Sequence, residues 1–85
     1  MFSFRKTTFE EVEKEVLHCL LELYGREEFR AVEWFTDIRS QQRIRELFTG
    51  AQVDAAFRRL RSKGDIIKTS GTTGDATYQV ISVES

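Results

Sequence analysis

The chain has 85 residues, of which 40% are hydrophobic and 32% charged, with a net charge of −1, one cysteine and no proline. That length holds one domain with a modest core and little room for a deep catalytic cleft, and the balance is that of a globular rather than a disordered chain. The single Cys19 excludes an intrachain disulfide, and the short apolar runs exclude a membrane-spanning helix. A reducing interior, cytoplasmic or nucleoid-associated, is the expected setting, because Phe2 and Phe4 are followed by Arg5 and Lys6 rather than by a secretory leader's long apolar stretch.

The charge is unevenly spread. Residues 1–38 carry a net −4, residues 39–68 a net +5 and residues 69–85 a net −2. The basic block comprises Arg39, Arg43, Arg45, Arg58, Arg59, Arg61, Lys63 and Lys68 against Glu46, Asp54 and Asp65. Such a block is either a solvated face or an electrostatic footprint for an anionic partner.

In chain order, residues 1–7 read as an arm. Thr7 and Thr8, three residues before Glu10 and Glu11, have the form of a capping box. Val12, Val16, Leu20 and Leu23 then recur at helical spacing, with Leu17, Cys19 and Leu21 widening the stripe, and Gly25 stops it. Helix 1 is therefore predicted over 8–24. Over 26–48 the signals mix: Phe29 to Phe35 is compatible with a short strand, while Ala31, Trp34, Phe35, Ile38, Ile44, Leu47 and Phe48 carry helical spacings. Helix 2 is predicted over 33–47, with a break near Ser40 left open.

Helix 3 is predicted over 50–63. Thr49 has its capping partner at Gln52, an apolar stripe runs through Val53, Ala56, Phe57 and Leu60, and Gly64 ends it after Lys63. Two β-type runs, Asp65 to Thr69 and Thr77 to Ile81, flank a turn-rich tip and predict a hairpin over 65–82 that must lie against the helices.

The stretch Leu47-Phe48-Thr49-Gly50-Ala51-Gln52-Val53-Asp54-Ala55-Ala56-Phe57-Arg58-Arg59-Leu60-Arg61-Ser62-Lys63-Gly64-Asp65-Ile66-Ile67 resembles the recognition helix and following strand of the winged helix-turn-helix superfamily. The resemblance extends from about residue 9 to residue 82, with Phe57 where that pattern most often has leucine. It implies an α+β fold of three helices with a C-terminal β-hairpin wing, in one domain. Members bind DNA or, in some cases, protein, so the fold alone does not select a function. The segment between Ser70 and Ala76 has no Lys or Arg and ends in Asp75, which departs from a wing that inserts into a groove.

If the stripe of helix 3 faces a core, 100° steps turn Gln52, Ala55, Arg58, Arg59 and Ser62 outward. In a major groove Gln52 would pair with adenine, Ala55 would touch a thymine methyl, and Arg58 or Arg59 would grip guanine or phosphate. Arg61, Lys63 and Lys68 would hold phosphates beside it, and Arg39 and Arg43 would do so from helix 2. Arginine outnumbers lysine in this set, and its planar fork suits phosphate and base edges.

His18 beside Cys19 lacks further ligands at metal-binding spacing, so core or boundary positions are expected. Glu10, Glu11, Glu13 and Glu15 read as dipole-favoured acids of a helix start rather than a catalytic pair. Gly71 and Gly74 precede no helix and form no phosphate fingerprint. Trp34 and Phe35 are expected in the core, or with Phe2 and Phe4 in a dimer contact. No catalytic residue, cofactor, metal or small-molecule substrate is indicated. Two readings stand: a small DNA-binding regulator docking helix 3 in the major groove of double-stranded DNA, working as a homodimer, and a winged-helix protein-interaction module of a larger complex.

Overall fold

The computed structural model describes residues 8–71 and 75–82. The predicted arm, with Phe2 and Phe4, and the hairpin-tip residues 72–74 lie outside them. Thr8 caps the first helix, α1 (Phe9–Tyr24): its hydroxyl accepts the Glu11 N–H at 3.1 Å, and the Glu11 carboxylate accepts the Thr8 N–H at 3.1 Å. Val12, Val16, Leu17, Cys19 and Leu20 are buried, whereas Leu23, expected in the same stripe, is largely exposed near the helix end. Gly25 closes α1 at φ 64°, donating its N–H to the Leu21 carbonyl at 2.8 Å.

A two-residue strand β1 (Phe29–Arg30) leads directly into α2 (Ala31–Arg39), and α3 (Gln42–Leu47) follows. The single helix expected over 33–47 is thus two helices, and the total is four rather than three. The reason lies in the core positions. Trp34 and Ile38 are one helical turn apart, but Ile44 comes six residues after Ile38, about 240° round a continuous helix, and would face solvent. The chain breaks at Ser40 and Gln41, where Gln41 takes an extended ψ of 122°, and Ile38, Ile44 and Phe48 are all buried. Ser40 stabilises the break by donating its hydroxyl to the Asp37 carbonyl at 2.6 Å.

The last helix, α4 (Gly50–Lys63), has the predicted limits. Thr49 Oγ1 accepts the Gln52 N–H at 3.1 Å and Gln52 Oε1 accepts the Thr49 N–H at 2.8 Å. Val53, Ala56, Phe57 and Leu60 are buried, as the stripe requires. Gly64 adopts the left-handed conformation, φ 87°, and frees the chain to turn into the hairpin. Strands β2 (Ile66–Ser70) and β3 (Thr77–Val80) pair antiparallel, and β1 joins the other side of β3, giving a three-stranded sheet in the order β1-β3-β2. Ile66 opposes Val80 and Lys68 opposes Tyr78 before a bulge at Thr69.

Sheet and helices meet over a chain of rings. Phe57 of α4 stacks on Trp34 of α2 at 3.9 Å and meets the edges of Phe29 at 6.3 Å and Tyr78 at 5.3 Å. Tyr24 stacks on Phe29 at 4.6 Å and donates its hydroxyl to the Asp37 carboxylate at 2.5 Å. Burial and that carboxylate push the Tyr24 phenol well above its ordinary value of 10.0. The fold is α+β, four helices against a small three-stranded antiparallel sheet. Among the described residues no helix is long and apolar enough to cross a membrane.

Candidate nucleic-acid interface

α1 packs along α4, and the charges between them remove part of the expected interface. Glu13 of α1 is only 6% exposed. It accepts Arg59 Nε at 2.9 Å and Lys63 Nζ at 2.5 Å. Burial pushes the Glu13 carboxyl up, but the hydrogen bonds and charges of Lys63 and Arg59 outweigh it and hold the group below its ordinary 4.5. The Arg59 guanidinium also lies 4.0 Å above the Phe9 ring. Arg59 and Lys63, expected to face a partner, therefore face α1. The physical reason is angular: Arg59 sits about 70° from the outward direction of α4, near enough to the helix contact for a carboxylate there to capture it. Arg43 is exposed but paired, its Nε and Nη2 donating to the two oxygens of Glu15 at 3.1 and 2.7 Å.

Arg39 stands apart from the other cations. Its guanidinium lies 5.8 Å from the Phe35 ring centre and over Gly50, in the space a Cβ there would fill. Its Nε is buried with no hydrogen-bond partner among the described residues. Gln52 is half-buried, and its side-chain oxygen accepts the Thr49 N–H in the cap of α4.

Three of the ten expected residues come together, and a fourth, Lys68, stands on the strand beside Tyr78. Arg58, Arg61 and Ser62 are exposed and line one shallow depression on α4. The Arg61 guanidinium lies 4.8 Å over the Tyr78 ring, and Lys68 is the exposed cross-strand partner of Tyr78. Residues opposed in a ladder project to the same face, so Tyr78 ties the C-terminal half of α4 to the base of the hairpin. Arg58 is held only by Asp54 one turn back, Nη2 to Oδ2 at 3.1 Å, with both side chains well exposed. Ala55 is half-buried beside this face.

Two roles escaped the sequence reading, those of Glu13 and Tyr78. Glu13 was readable in principle, since it precedes Leu17 by four residues and Leu20 by seven, inside the buried stripe. Tyr78 left no signal, because its role depends on strand register. Arg45 on α3 is exposed and carries no ionic partner among the described residues. Cys19 is buried, and burial, with Glu22 and Glu15 nearby, pushes its thiol up, away from reactive thiolate. His18 meets Glu22 at 3.2 Å on the exposed face of α1. Among the described residues no three potential ligands cluster as a metal site. Trp34 is buried as expected, but Phe35, Val32 and Leu47 are exposed. No protein-family model matches the chain, and neither a curated protein nor a solved structure matches it.

Proposed function

We propose that the chain is a winged-helix module that binds duplex DNA along α4 and the base of its hairpin. The fold reading is supported by the element order helix, strand, helix, short helix, helix, hairpin, and by the first strand closing the sheet beside β3. The observation that carries the function is the convergence of Arg58, Arg61, Ser62 and Lys68 about Tyr78 on one exposed face. Three cations and a hydroxyl there suit successive phosphate oxygens, and the C-terminal half of α4 would lie against the backbone at the edge of the major groove.

The test is anisotropy titration of a labelled duplex at several salt concentrations. Each neutralised phosphate contributes about 0.9 to the slope of log affinity against log salt, so three cations give a slope of about −3. Absence of binding at low salt overturns the reading.

A second reading has its own support. Arg43, Arg59 and Lys63 are neutralised by carboxylates of α1, which weakens the anion-seeking field, and Val32, Phe35 and Leu47 are exposed. Such a surface suits a protein-interaction module. A folded chain that ignores duplex at low salt favours this alternative.

A further inference from the structure

We infer that the face formed by α2 and the start of α4 docks an acidic, apolar peptide segment of a partner protein, with Arg39 receiving one of its carboxylates. This rests on the protein-interaction reading above and names the partner chemistry that reading leaves open. The face begins at Gly50, about 16 Å along α4 from Arg61, so it is tested separately from duplex binding.

The inference comes from asking which cations of the chain lack an answer. Glu13 takes Arg59 and Lys63, Glu15 takes Arg43 and Asp54 takes Arg58. Lys14, Arg45 and Lys68 are exposed to water. Arg39 differs from all of these. It is half-buried, its Nε is covered without a hydrogen-bond partner, and no carboxylate among the described residues pairs with it. Its guanidinium rests on Phe35 and against Gly50, where a Cβ would meet it. That is also the positive end of the α4 dipole, which disfavours a cation and favours an anion. A carboxylate beside Arg39 removes the mismatch. It accepts from the guanidinium and from N–H groups that the first turn of a helix leaves unpaired.

The surroundings select a peptide over other anions. Val32, Phe35 and Arg39 follow one another at helical spacing along α2 and form one stripe. Val32 and Phe35 are exposed, and so is Leu47, three residues before Gly50. Single exposed apolar residues are ordinary, but here three flank one unanswered cation. A nucleic-acid backbone has phosphates for Arg39 and nothing to cover its apolar neighbours. A second copy of this chain fits no better, because a two-fold pairing sets the stripe against itself and brings Arg39 towards Arg39. An amphipathic peptide with Asp or Glu beside its apolar residues satisfies both features at once.

The test is selection against the immobilised wild-type chain from displayed random peptides about 16 residues long, enough for four helical turns. Labelled, resynthesised winners are then titrated by anisotropy. The expected winners carry apolar residues at helical spacing and an excess of Asp and Glu. Changing those acids to amides should weaken binding roughly tenfold, and Arg39→Gln should do the same and flatten its salt dependence. Val32→Ser and Leu47→Ser, at exposed positions, should also weaken it with little change in melting temperature. Phe35 is left intact, because its ring also meets Trp34. Arg61→Ala should leave peptide affinity unchanged. Winners without acids, or winners that bind the folded Arg39→Gln variant as well as the wild type, overturn the inference and leave the protein-interaction reading standing. Arg39→Gln weakening duplex binding while sparing the peptide overturns it too, and assigns the face to nucleic acid. Selection that enriches no peptide overturns the protein-interaction reading itself.

Discussion

Arg59 of α4 donates its Nε–H to Glu13 of α1 at 2.9 Å, within the contact that joins the two longest helices. Glu13 is nearly inaccessible to solvent, while Arg59 is about one-third exposed and Lys63, its other partner, about half exposed. A carboxylate so placed is stable because two cations answer it, and those cations are correspondingly unavailable to a ligand.

The replacement Glu13→Gln should destabilise the fold by about 1–3 kcal/mol, the range for losing hydrogen bonds to a charged group. The full cost of breaking a buried pair is not expected, because Arg59 and Lys63 can both turn to water. Acid dependence gives the sharper signature. The Glu13 pKa is depressed in the folded chain, so its contribution is complete above the ordinary 4.5 and disappears as pH falls through the folded value. Lys63 is raised above its ordinary 10.5 by donating to Glu13, so its contribution is complete below that value and disappears as pH rises through the folded one. Chemical denaturation at a series of pH values should show a shallower fall at both ends in the variant. An equal pH profile for both proteins would show that the triad contributes nothing.

Phe57→Ala should cost about 3–5 kcal/mol, the usual range for truncating a buried aromatic. Phe57 is 4% exposed and meets Trp34, Phe29 and Tyr78, so it joins α2, β1, α4 and β3 at one point. Domains of this size have about 5–15 kcal/mol in all, so the variant should melt far below the wild type or fail to fold. A melting temperature within a degree or two of the wild type would contradict this packing.

The elements with local punctuation were the legible ones. Thr8 with Glu11 and Thr49 with Gln52 marked both long helix starts, and Gly25 and Gly64 marked the ends, because caps are satisfied within a few residues. The division of α2 from α3 was obscured, since Phe29 to Phe48 holds apolar residues compatible with strand or helix, and only the phase jump from Ile38 to Ile44 betrays the break. The exposed cationic face was half legible. Helix phase put Arg58 and Ser62 outward correctly, but outwardness does not say whether a cation is free. Arg59, Lys63 and Arg43 were captured by Glu13 and Glu15, partners 28 or more residues away in sequence, which no local pattern reveals.

Loss of the α4 cap should separate stability from binding. Thr49→Ala removes the acceptor of the Gln52 N–H and should cost about 1 kcal/mol. The side chain is exposed and stands at the opposite end of α4 from Arg61, so duplex affinity of the folded fraction should be unchanged. Thermal melts and anisotropy on the same sample measure both. A marked loss of affinity without loss of stability would extend the interface to the start of α4.

Two double substitutions test the interface against the internal pairs. Arg58→Ala with Arg61→Ala removes two free cations, and Arg59→Ala with Lys63→Ala removes two captive ones, so the change in net charge is the same. Alanine is the best helix former, so α4 persists in both. The first variant loses a cation–π contact at Tyr78, about 0.5–1 kcal/mol for an exposed site, and a surface pair with Asp54 that contributes little. Its salt slope should fall by about two units and its affinity should drop steeply at low salt. The second variant leaves Glu13 buried without a cation, so it should be the less stable of the two, with a slope close to that of the wild type. The contrast excludes a mere net-charge effect, which would weaken both equally. Should the second variant lose as much slope as the first, Arg59 and Lys63 must leave Glu13 on binding, and the interface would span the α1 side of α4 as well. Should neither variant change the slope of a chain that does bind duplex, the contact face lies away from α4 altogether.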